Sequence, residues 1–319
     1  MNEQRTALVT GGTGFIGSNL IKKLISTGWI VHAIVRQKSD LKALAICVDK
    51  ITLHEHDGST ESLVKIFAAS KPDVVFHLAS LFLSGHTPKD VAQLIQSNVL
   101  FSTQLVEAMN ENGVKNLVNT GTSWQHYENK DYSPVNLYAA TKQAFEAILQ
   151  YYVEAKSFKA ITLKLFDTYG PDDTRTKLFH LLEQVAKSQE PLAMSPGEQL
   201  IDLVHVDDVI EAYLIAAERL LCGLVSSHEC YTVSTGSPVS LKDLVRIYEE
   251  VTKIKIRIQW GGRPYRTREV MMPWLLNQSL HGWQPKISLH VGMQNMASRR
   301  MGNAMQWQED VIDNTSKQI

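Results

Sequence analysis

A glycine-rich turn between a short apolar segment and an amphipathic segment constrains this chain more than any other feature. The turn spans residues 10–17 (TGGTGFIG) and directly follows the apolar residues 7–9. Glycines 11, 14 and 17 form a G-x-x-G-x-x-G variant of the fingerprint that carries a strand into a helix beside a dinucleotide. The alternative interpretation is a glycine-rich turn that binds no ligand.

Each glycine has a separate task in such a turn. Gly11 makes the tight bend, Gly14 lets the backbone approach a pyrophosphate, and Gly17 lets the helix pack on the strand. The N–H groups at the start of the helix then attract the phosphates. We predict that the turn contacts a dinucleotide through Gly11, Thr13, Gly14, Phe15, Ile16 and Gly17.

The rest of the first half alternates apolar runs with helical patterns. Strands are predicted at residues 7–9, 30–35, 50–54, 73–78, 116–119 and 160–165, and helices at 15–25, 88–110 and 137–155. Strands separated by helices of this length form parallel crossovers. The expected fold class is therefore α/β, a doubly wound Rossmann sheet that is parallel and covered on both faces.

Beyond residue 172 the pattern loosens into a helix at 176–187, a Pro/Gly loop and shorter elements. We expect a smaller, interrupted C-terminal substrate domain set against the open end of the sheet. The predicted division assigns residues 1–172 plus 202–240 to the dinucleotide-binding domain, and residues 173–201 plus 241–319 to the substrate-binding domain.

The charge balance and the lack of long apolar runs limit the partners. The formal net charge is -1, which argues against a nucleic-acid or membrane partner. No apolar run approaches the ~20 residues of a membrane span, and the chain enters its first strand without room for a targeting peptide. Cys47, Cys222 and Cys230 lack metal-ligand spacing and are expected to be buried thiols. A cytoplasmic protein without a bound metal is expected.

The residues after the second strand indicate which dinucleotide binds. A carboxylate there would bond the ribose 2′-hydroxyl and repel a 2′-phosphate. The strand instead ends at Arg36-Gln37-Lys38, and a guanidinium pairs a phosphate through two hydrogen bonds. We predict NADP(H), with NAD less favoured; solvated loop cations are the alternative. Asp57 and Gly58, after the third strand, are expected near the adenine amino group.

Several motifs together resemble a known family. They are residues 11–17, 76–80 (FHLAS), Asn98, 138–142 (YAATK) and 205–208 (HVDD). In this order they are similar to the extended short-chain dehydrogenase/reductases, in the branch with sugar-nucleotide epimerases, dehydratases and ketoreductases. The likeness covers nearly the whole chain. It implies that Leu78, Ala79, Ser80, Asn98, Tyr138 and Lys142 also belong to the cofactor site, with Asn98 hydrogen-bonded to backbone beneath the active site.

The resemblance and the residues indicate the same catalytic pair. Tyr138 and Lys142 are four residues apart and share one helix face. A free tyrosine has a pKa of about 10, and a neighbouring ammonium is expected to lower it. Tyr138 then exchanges a proton with a carbonyl oxygen while hydride moves at carbon. In the family the lysine also holds the nicotinamide ribose. A surface pair without a function is the alternative.

A hydroxyl is expected to complete the catalytic group after the fifth strand. Alignment of the strand ends selects Thr122, with Ser123 as its rival; either could orient the substrate oxygen. Trp124 beside them is a candidate pocket wall. In related enzymes, cations reach a diphosphate from the region of residues 261–269, where Arg263 and Arg268 are the candidates. The substrate-binding prediction comprises Ser123, Trp124, Arg263 and Arg268.

Three functions remain open, in decreasing preference. The first is NADPH-dependent reduction of a 4-keto group on a nucleotide-diphosphate deoxyhexose, as in ketoreductases of the CDP-abequose synthase kind. The second is a 4-epimerase with a retained cofactor, and the third is a non-catalytic NADP-binding regulator. A 4,6-dehydratase is disfavoured, since Ser123-Trp124 replaces the family's Asp-Glu pair. The resemblance implies a homodimer, while residues 201–203 and 167–171 depart from the sugar-nucleotide pattern. His205 is expected to pack, with Asp207 as a helix N-cap.

Overall fold

A computed structural model describes residues 4–188, 190–274 and 278–299, and the strands and helices named below lie within those ranges; residues 289–299 are also helical. The strands are β1 (Thr6–Thr10), β2 (Ile30–Arg36), β3 (Thr52–His56), β4 (Val74–His77), β5 (Asn116–Thr122), β6 (Lys159–Leu165), β7 (Asp167–Tyr169), β8 (Leu192–Ala193), β9 (Leu200–Ile201), β10 (Leu203–His205), β11 (His228–Val233), β12 (Val239–Ser240) and β13 (Ile258–Gln259). The helices are α1 (Phe15–Ser26), α2 (Thr60–Ser70), α3 (Val91–Ile95), α4 (Phe101–Glu111), α5 (Leu137–Lys156), α6 (Leu178–Lys187), α7 (Val206–Leu221) and α8 (Leu241–Thr252).

Seven of the strands form one sheet in the order β11-β6-β5-β4-β1-β2-β3. All six pairings in it are parallel. Strands β2 and β3 follow β1 on one side of the sheet, whereas β4 and the later strands lie on its other side. The direction of the strand order therefore reverses at β1. In open α/β sheets ligands bind at such a reversal, beyond the carboxyl ends of the strands.

Alternate residues of each strand enter two different cores, which is why the strands read as continuous apolar runs. Ala7, Val9, Val74 and Phe76 pack under α1 and α7. Leu8, Val75 and Leu117 pack under α2, α4 and α5. Both faces of the sheet are therefore covered, and the predicted doubly wound Rossmann class is confirmed.

The predicted helix at 88–110 is interrupted. A π-helical turn (Gln96–Leu100) separates α3 from α4, with Asn98 buried inside it. Helix α2 was not predicted. The other predicted elements differ only at their ends: β3 begins and ends two residues later than predicted, β5 runs on to Thr122, and α6 begins at Leu178. Local patterns fix the type of an element better than its ends.

A third core lies outside the sheet. It joins α6 and α8 through residues such as Leu182, Leu244 and Tyr248, and Met293 and Met296 pack into it. Leu280 and Trp283, by contrast, return to the core under α1 and α7. The predicted division into two domains stays a prediction; its residues 300–319 lie outside the described part of the chain.

Two smaller expectations meet the structure here. Within the described residues, no helix has both the length and the apolar character needed to cross a membrane. The three thiols were expected to be buried, but only Cys47 is; Cys222 is exposed and Cys230 half-buried. Cys222 ends α7 at the surface, where its Sγ bonds the carboxylate of Glu218.

Candidate functional site

The loops after β1 and β4 meet at the reversal of strand order. Leu78 N donates to Thr10 O (3.2 Å), and Ala79 N donates to Thr10 Oγ1 (3.1 Å). Gly11 has a φ of +71°, and a Cβ there would lie 2.6 Å from Ala79 N. Only glycine combines that backbone conformation with such a close approach. The turn therefore opens directly beside residues 78–80.

The remaining glycines shape a cradle at the start of α1. A Cβ on Gly17 would lie 2.2 Å from Gly11 O, so this buried glycine is needed for close packing of helix and turn. Gly14 is exposed, caps α1 without a side-chain hydrogen bond, and has no acid following it in the first turn. The N–H groups that begin the helix remain open to an anion. The turn fits a dinucleotide; the contacts predicted for Gly14, Thr13, Phe15 and Ile16 stay predictions.

The two cations after β2 lie exposed on a tight turn. Arg36 N donates to Ser39 Oγ (2.9 Å), and Ser39 N donates back to Arg36 O (2.9 Å). Among the described residues, neither Arg36 nor Lys38 forms an ion pair with a carboxylate. Both remain free for an anionic ligand.

Asp57 takes part in the turn that begins α2. Its carboxylate accepts from Ser59 Oγ (2.7 Å) and Ser59 N (2.8 Å), and these bonds lower its pKa. Gly58 follows in the left-handed region with a φ of +100°. The adenine contact expected of these two residues stays a prediction.

Asn98 supports the loop after β4. Its Oδ1 accepts from Leu81 N (2.7 Å) and Ser80 Oγ (3.2 Å), while its Nδ2 donates to Leu81 O (3.0 Å) and Thr141 Oγ1 (2.9 Å). With 1% of its surface exposed, the amide is occupied by protein groups. These bonds support the loop after β4, and the cofactor contact predicted for Asn98 stays a prediction.

His77 is held inside the fold by hydrogen bonds on both ring nitrogens. Its ring is fully buried, and its two nitrogens bond Thr10 Oγ1 and Ser102 Oγ, both at 2.8 Å. Burial lowers the pKa of His77 to about 3, with the charge on Lys142 adding to the effect. The imidazole is therefore neutral and fully bonded.

Helix α5 carries the tyrosine and the lysine. Asn136 caps it by accepting from Ala139 N (3.0 Å), so Tyr138 lies in the first turn. The Tyr138 ring packs edge-on against Phe82 at a centroid distance of 5.0 Å. Burial raises the pKa of Tyr138 to about 12, although a hydrogen bond with Ser80 opposes the rise.

The raised pKa of Tyr138 differs from the expected acidification by Lys142. Burial is the cause for both groups, because it penalises the charged form of each. It lowers the pKa of Lys142 to about 8, against a raising effect of Glu146 and a lowering effect of Lys164. At neutral pH the site therefore holds a neutral Tyr138 phenol and a Lys142 ammonium whose pKa lies close to neutral pH.

The structure separates the two candidate hydroxyls. Thr122 Oγ1 accepts from Trp124 N (3.3 Å), and Thr122 N donates to Gln125 Oε1 (3.0 Å), so Thr122 caps a short 3-10 turn (Ser123–Gln125). Ser123 lines the large cavity beside it, and its hydroxyl has no hydrogen-bond partner in the described part of the chain. This geometry favours Ser123 over Thr122.

That cavity has a volume of about 500 Å³ and brings the predicted substrate residues together. Ser123, Trp124, Arg263 and Arg268 all line it. Arg268 stacks over Tyr127 at 4.2 Å and donates to Ser133 Oγ (2.7 Å), whereas Arg263 is exposed. Tyr138 is not itself among the residues that line this cavity; it contacts the lining residue Phe82.

Two lining residues were missed in the sequence. Phe82 packs between Tyr138 and Trp124, with a centroid distance of 5.6 Å to the latter. Arg175 lies over the ring of Phe15 at 4.5 Å and pairs with Asp173, which links the cavity to the glycine turn. No local pattern marks Phe82. Arg175 follows the Tyr-Gly-Pro segment closely, and that position was the available signal.

His205 is buried at the start of α7, and the expected cap was assigned to the wrong residue. His205 itself caps α7, since its Nδ1 accepts from Asp207 N (3.3 Å). Asp207 lies in the first turn with 71% of its side chain exposed. The helix therefore begins two residues earlier than the predicted cap implied, at Val206 instead of Asp208.

Known proteins share this architecture. Residues 7–223 match the model of the NAD dependent epimerase/dehydratase family. The CDP-abequose synthase of Salmonella typhimurium is 28% identical over 92% of this chain and 97% of its own. The UDP-glucose 4-epimerase 2 of Oryza sativa subsp. japonica is 26% identical over 89% and 79%.

Solved structures are similar over the same length. The UDP-glucose 4-epimerase of Thermotoga maritima, solved with UDP-glucose, superposes with a TM-score of 0.81 at 24% identity, covering 94% of this chain and 99% of its own. MoeE5, solved with UDP-glucuronic acid and NAD, reaches a TM-score of 0.75 at 27% identity over 93% and 99%.

Proposed function

The chain belongs to the NAD dependent epimerase/dehydratase family, and we propose that it uses NADPH to reduce a 4-keto group on a nucleotide-diphosphate deoxyhexose. At the coarser level it is an NAD(P)-dependent enzyme of the oxidoreductase type that modifies nucleotide sugars. The finer proposal concerns the cofactor, the direction of hydride transfer and the sugar.

The observation that carries the proposal is the pair of cations at the end of β2. Arg36 and Lys38 are exposed, and no described carboxylate pairs with either. A guanidinium with an ammonium nearby matches a 2′-phosphate, while residues 35–39 at the end of β2 offer no acid to bind a free 2′-hydroxyl. A cell uses NADPH mainly as a reductant that is exchanged at each turnover, so this cofactor favours net reduction over an internal epimerisation.

The protonation state of Tyr138 supports the same direction. A reductase needs a phenol that donates a proton, and burial keeps Tyr138 neutral with a pKa of about 12. An enzyme that begins by oxidising a hydroxyl needs the phenolate instead. The ring of Phe82 beside it offers no hydrogen bond to a sugar hydroxyl, which suits a deoxygenated hexose.

The chain's residues then have the following roles. Ser123 donates a hydrogen bond to the keto oxygen and fixes its position. Tyr138 transfers its proton to that oxygen as negative charge develops there, and the Lys142 ammonium stabilises the phenolate that remains. NADPH, when bound, supplies the hydride to the carbon. Arg263 and Arg268 hold the diphosphate by charge-assisted hydrogen bonds.

A 4-epimerase is the second candidate. It is favoured by the likeness to UDP-glucose 4-epimerases and to MoeE5, which was solved with NAD. A non-catalytic regulator is the third, but it would have no use for both Tyr138 and Lys142.

One assay distinguishes the three functions. Purified protein is mixed with NADPH and a nucleotide-diphosphate 4-keto-6-deoxyhexose, and absorbance and sugar products are followed. Stoichiometric loss of NADPH supports reduction. Interconversion of sugar isomers without added cofactor indicates an epimerase, and NADPH binding without turnover indicates a regulator; either result rejects the proposal.

A matched variant links the activity to this site. Tyr138→Phe keeps the ring against Phe82 but removes the proton donor, so turnover should fall by about 10²- to 10⁴-fold. The affinity for NADPH, measured by fluorescence titration, should stay within roughly twofold, because the variant keeps the ring and every charge at the site. Unchanged turnover would exclude Tyr138 as the acid.

A further inference from the structure

A buried ion pair lies behind the catalytic helix and has no part in the reaction described so far. Lys164 Nζ is 2.7 Å from both carboxylate oxygens of Glu146. The two side chains are only 3% and 8% exposed. Buried ion pairs often add nothing to stability compared with apolar residues of similar size. The pair therefore calls for an explanation other than stability.

The Glu146 carboxylate raises the pKa of Lys142 and accepts a hydrogen bond from Gln125. Glu146 follows Lys142 by four residues, one turn along the same face of α5. Its Oε1 also accepts from Gln125 Nε2 (3.0 Å). Gln125 in turn accepts from Thr122 N (3.0 Å) and ends the turn that presents Ser123 to the cavity.

Strand β5 leaves room for this arrangement. A Cβ on Gly121 would lie 2.7 Å from Lys164 Cδ and 3.1 Å from Glu146 Oε1. The first distance is shorter than a real Cβ makes, so any other residue would displace the lysine stem. The space for the ion pair is therefore built into the strand directly before Thr122 and Ser123.

We propose that Glu146 and Lys164 form a positioning pair that sets the charge on Lys142 and holds the turn that carries Ser123. The inference rests on the proposed function, because a proton transfer from Tyr138 is the step that needs a charged Lys142. Neither residue of the pair is placed against the substrate or the cofactor. Their effect reaches the reaction through Lys142 and through Gln125.

Few of the titratable groups that surround Lys142 are charged. Tyr138 and Glu146 face it from α5, His77 from β4 and Lys164 from β6. Burial holds Tyr138 and His77 neutral, since it raises the pKa of the first and lowers that of the second.

The titratable groups around the ion pair itself are neutral for the same reason. Burial lowers the pKa values of His126 and His228 and raises that of Cys230 to about 11. The charge felt by Lys142 is therefore the difference between one carboxylate, which raises its pKa, and one ammonium, which lowers it.

Two near-isosteric variants separate this role from a purely structural one. Glu146→Gln leaves the Lys164 ammonium alone near Lys142 and should lower the pKa of Lys142. Lys164→Met leaves the carboxylate alone and should raise it. Each shift should be on the order of one pH unit or more, the size that a single nearby charge typically produces. Shifts of opposite sign are the expected result.

The titration can be read without cofactor or substrate. NMR of ¹³Cε-labelled lysine follows Lys142 in the free protein, and a Lys142→Arg variant assigns its signal. In parallel, the alkaline limb of kcat against pH, measured with NADPH and the 4-keto sugar nucleotide, should move in the same direction as the NMR titration for each variant. The double variant Glu146→Gln/Lys164→Met removes both charges and should titrate between the two single variants.

The outcomes decide the proposal separately from the function. Opposite shifts support the pair as a positioning device. Shifts of the same sign overturn it, as does a loss of stability while the Lys142 titration does not move. If a single variant does not fold, the double variant is compared with the parent protein and tests the position of the Ser123 turn. Its kcat should fall at least about tenfold at unchanged KM. Absence of turnover in the parent protein rejects the proposed function, while the NMR titration still tests the pair.

Discussion

The hydroxyls of neighbouring residues 122 and 123 have different tasks, and substitution should separate them. Ser123→Ala removes the donor that faces the cavity, so kcat should fall by about 10- to 100-fold with little change in melting temperature. Thr122→Val removes the cap of the turn and should cost about 1 kcal/mol of stability. Steady-state kinetics and thermal unfolding of both variants provide the measurement. A larger kinetic loss for Thr122→Val would restore that residue as the catalytic hydroxyl.

A second residue-scale prediction concerns Arg36 and cofactor choice. Arg36→Ala removes a bidentate phosphate ligand, and a hydrogen bond to a charged group contributes about 1.5–3 kcal/mol. The Kd for NADPH should therefore rise by roughly 10- to 100-fold, while that for NADH changes little. Lys42→Ala is the control, since this lysine is an exposed cation in the same loop that already lies near Asp40. Equal losses for the two cofactors would remove the NADP assignment.

At this scale the sequence predicted residues whose role is local. Gly11 and Gly17 follow from the turn itself, and the spacing of Tyr138 and Lys142 follows from one helix. The roles of Phe82, Glu146 and Lys164 depend on which loops and strands become neighbours, and no spacing shows that. The acidification of Tyr138 was expected from proximity alone; burial, which only the folded chain reveals, has the opposite effect.

At the scale of elements, the pairing of β2 with β3 has a pH dependence. His32 Nδ1 lies 2.8 Å from His54 Nε2, and the rings stack at 5.1 Å. Burial lowers the pKa of both imidazoles, and a positive charge on His54 lowers the pKa of His32 further. A depressed histidine pKa means that the unfolded chain binds more protons, so stability is complete above pH ~6.5 and is lost as the pH falls below it.

The measurement is the melting temperature between pH 5 and pH 8. His54→Gln keeps a hydrogen-bonding group but cannot become charged, so its decrease on acidification should be about 2 °C smaller than that of the parent. The melting temperature of His54→Gln will still fall with the pH, since burial also lowers the pKa values of other histidines: His56, His77, His126, His205 and His228. His86→Gln, on an exposed loop, is the control. Identical slopes for parent and His54→Gln would contradict the prediction.

The elements themselves were predictable because strands buried on both faces are apolar throughout and each is followed by a helix. The π turn at Gln96–Leu100 was not, because it adds one residue to a continuous helical pattern without a proline or glycine to mark it. Its effect becomes visible only when Asn98 is found bonded to the loop after β4. The cap of α7 was misplaced for a similar reason: aspartate is the commoner cap, and His205 has this role only in the folded chain.

At the scale of the whole molecule, a segment near the end of the chain closes the first core. Trp283 packs under α1 and α7, and its Nε1 donates to Asp208 O (2.8 Å). The Asp208 carboxylate accepts from Lys286 N (3.1 Å) and Ile287 N (3.0 Å). Asp208, at the start of α7, therefore binds residues 283–287 through its backbone carbonyl and its buried carboxylate. The chain then returns to the third core. Length and composition could predict two units but not this crossing.

Asp208→Ala tests whether that fastening stabilises the molecule as a unit. The change leaves two partly buried N–H groups without their acceptor, at a cost of about 1–3 kcal/mol each. The melting temperature should fall by roughly 4–8 °C in a single transition. Asp207→Ala is the matched control, because its neighbouring carboxylate is 71% exposed and should contribute less than about 1 kcal/mol through the helix dipole. Circular dichroism melts of both variants decide. Equal effects would mean that the charge near the helix start matters, rather than the bonds to residues 286 and 287.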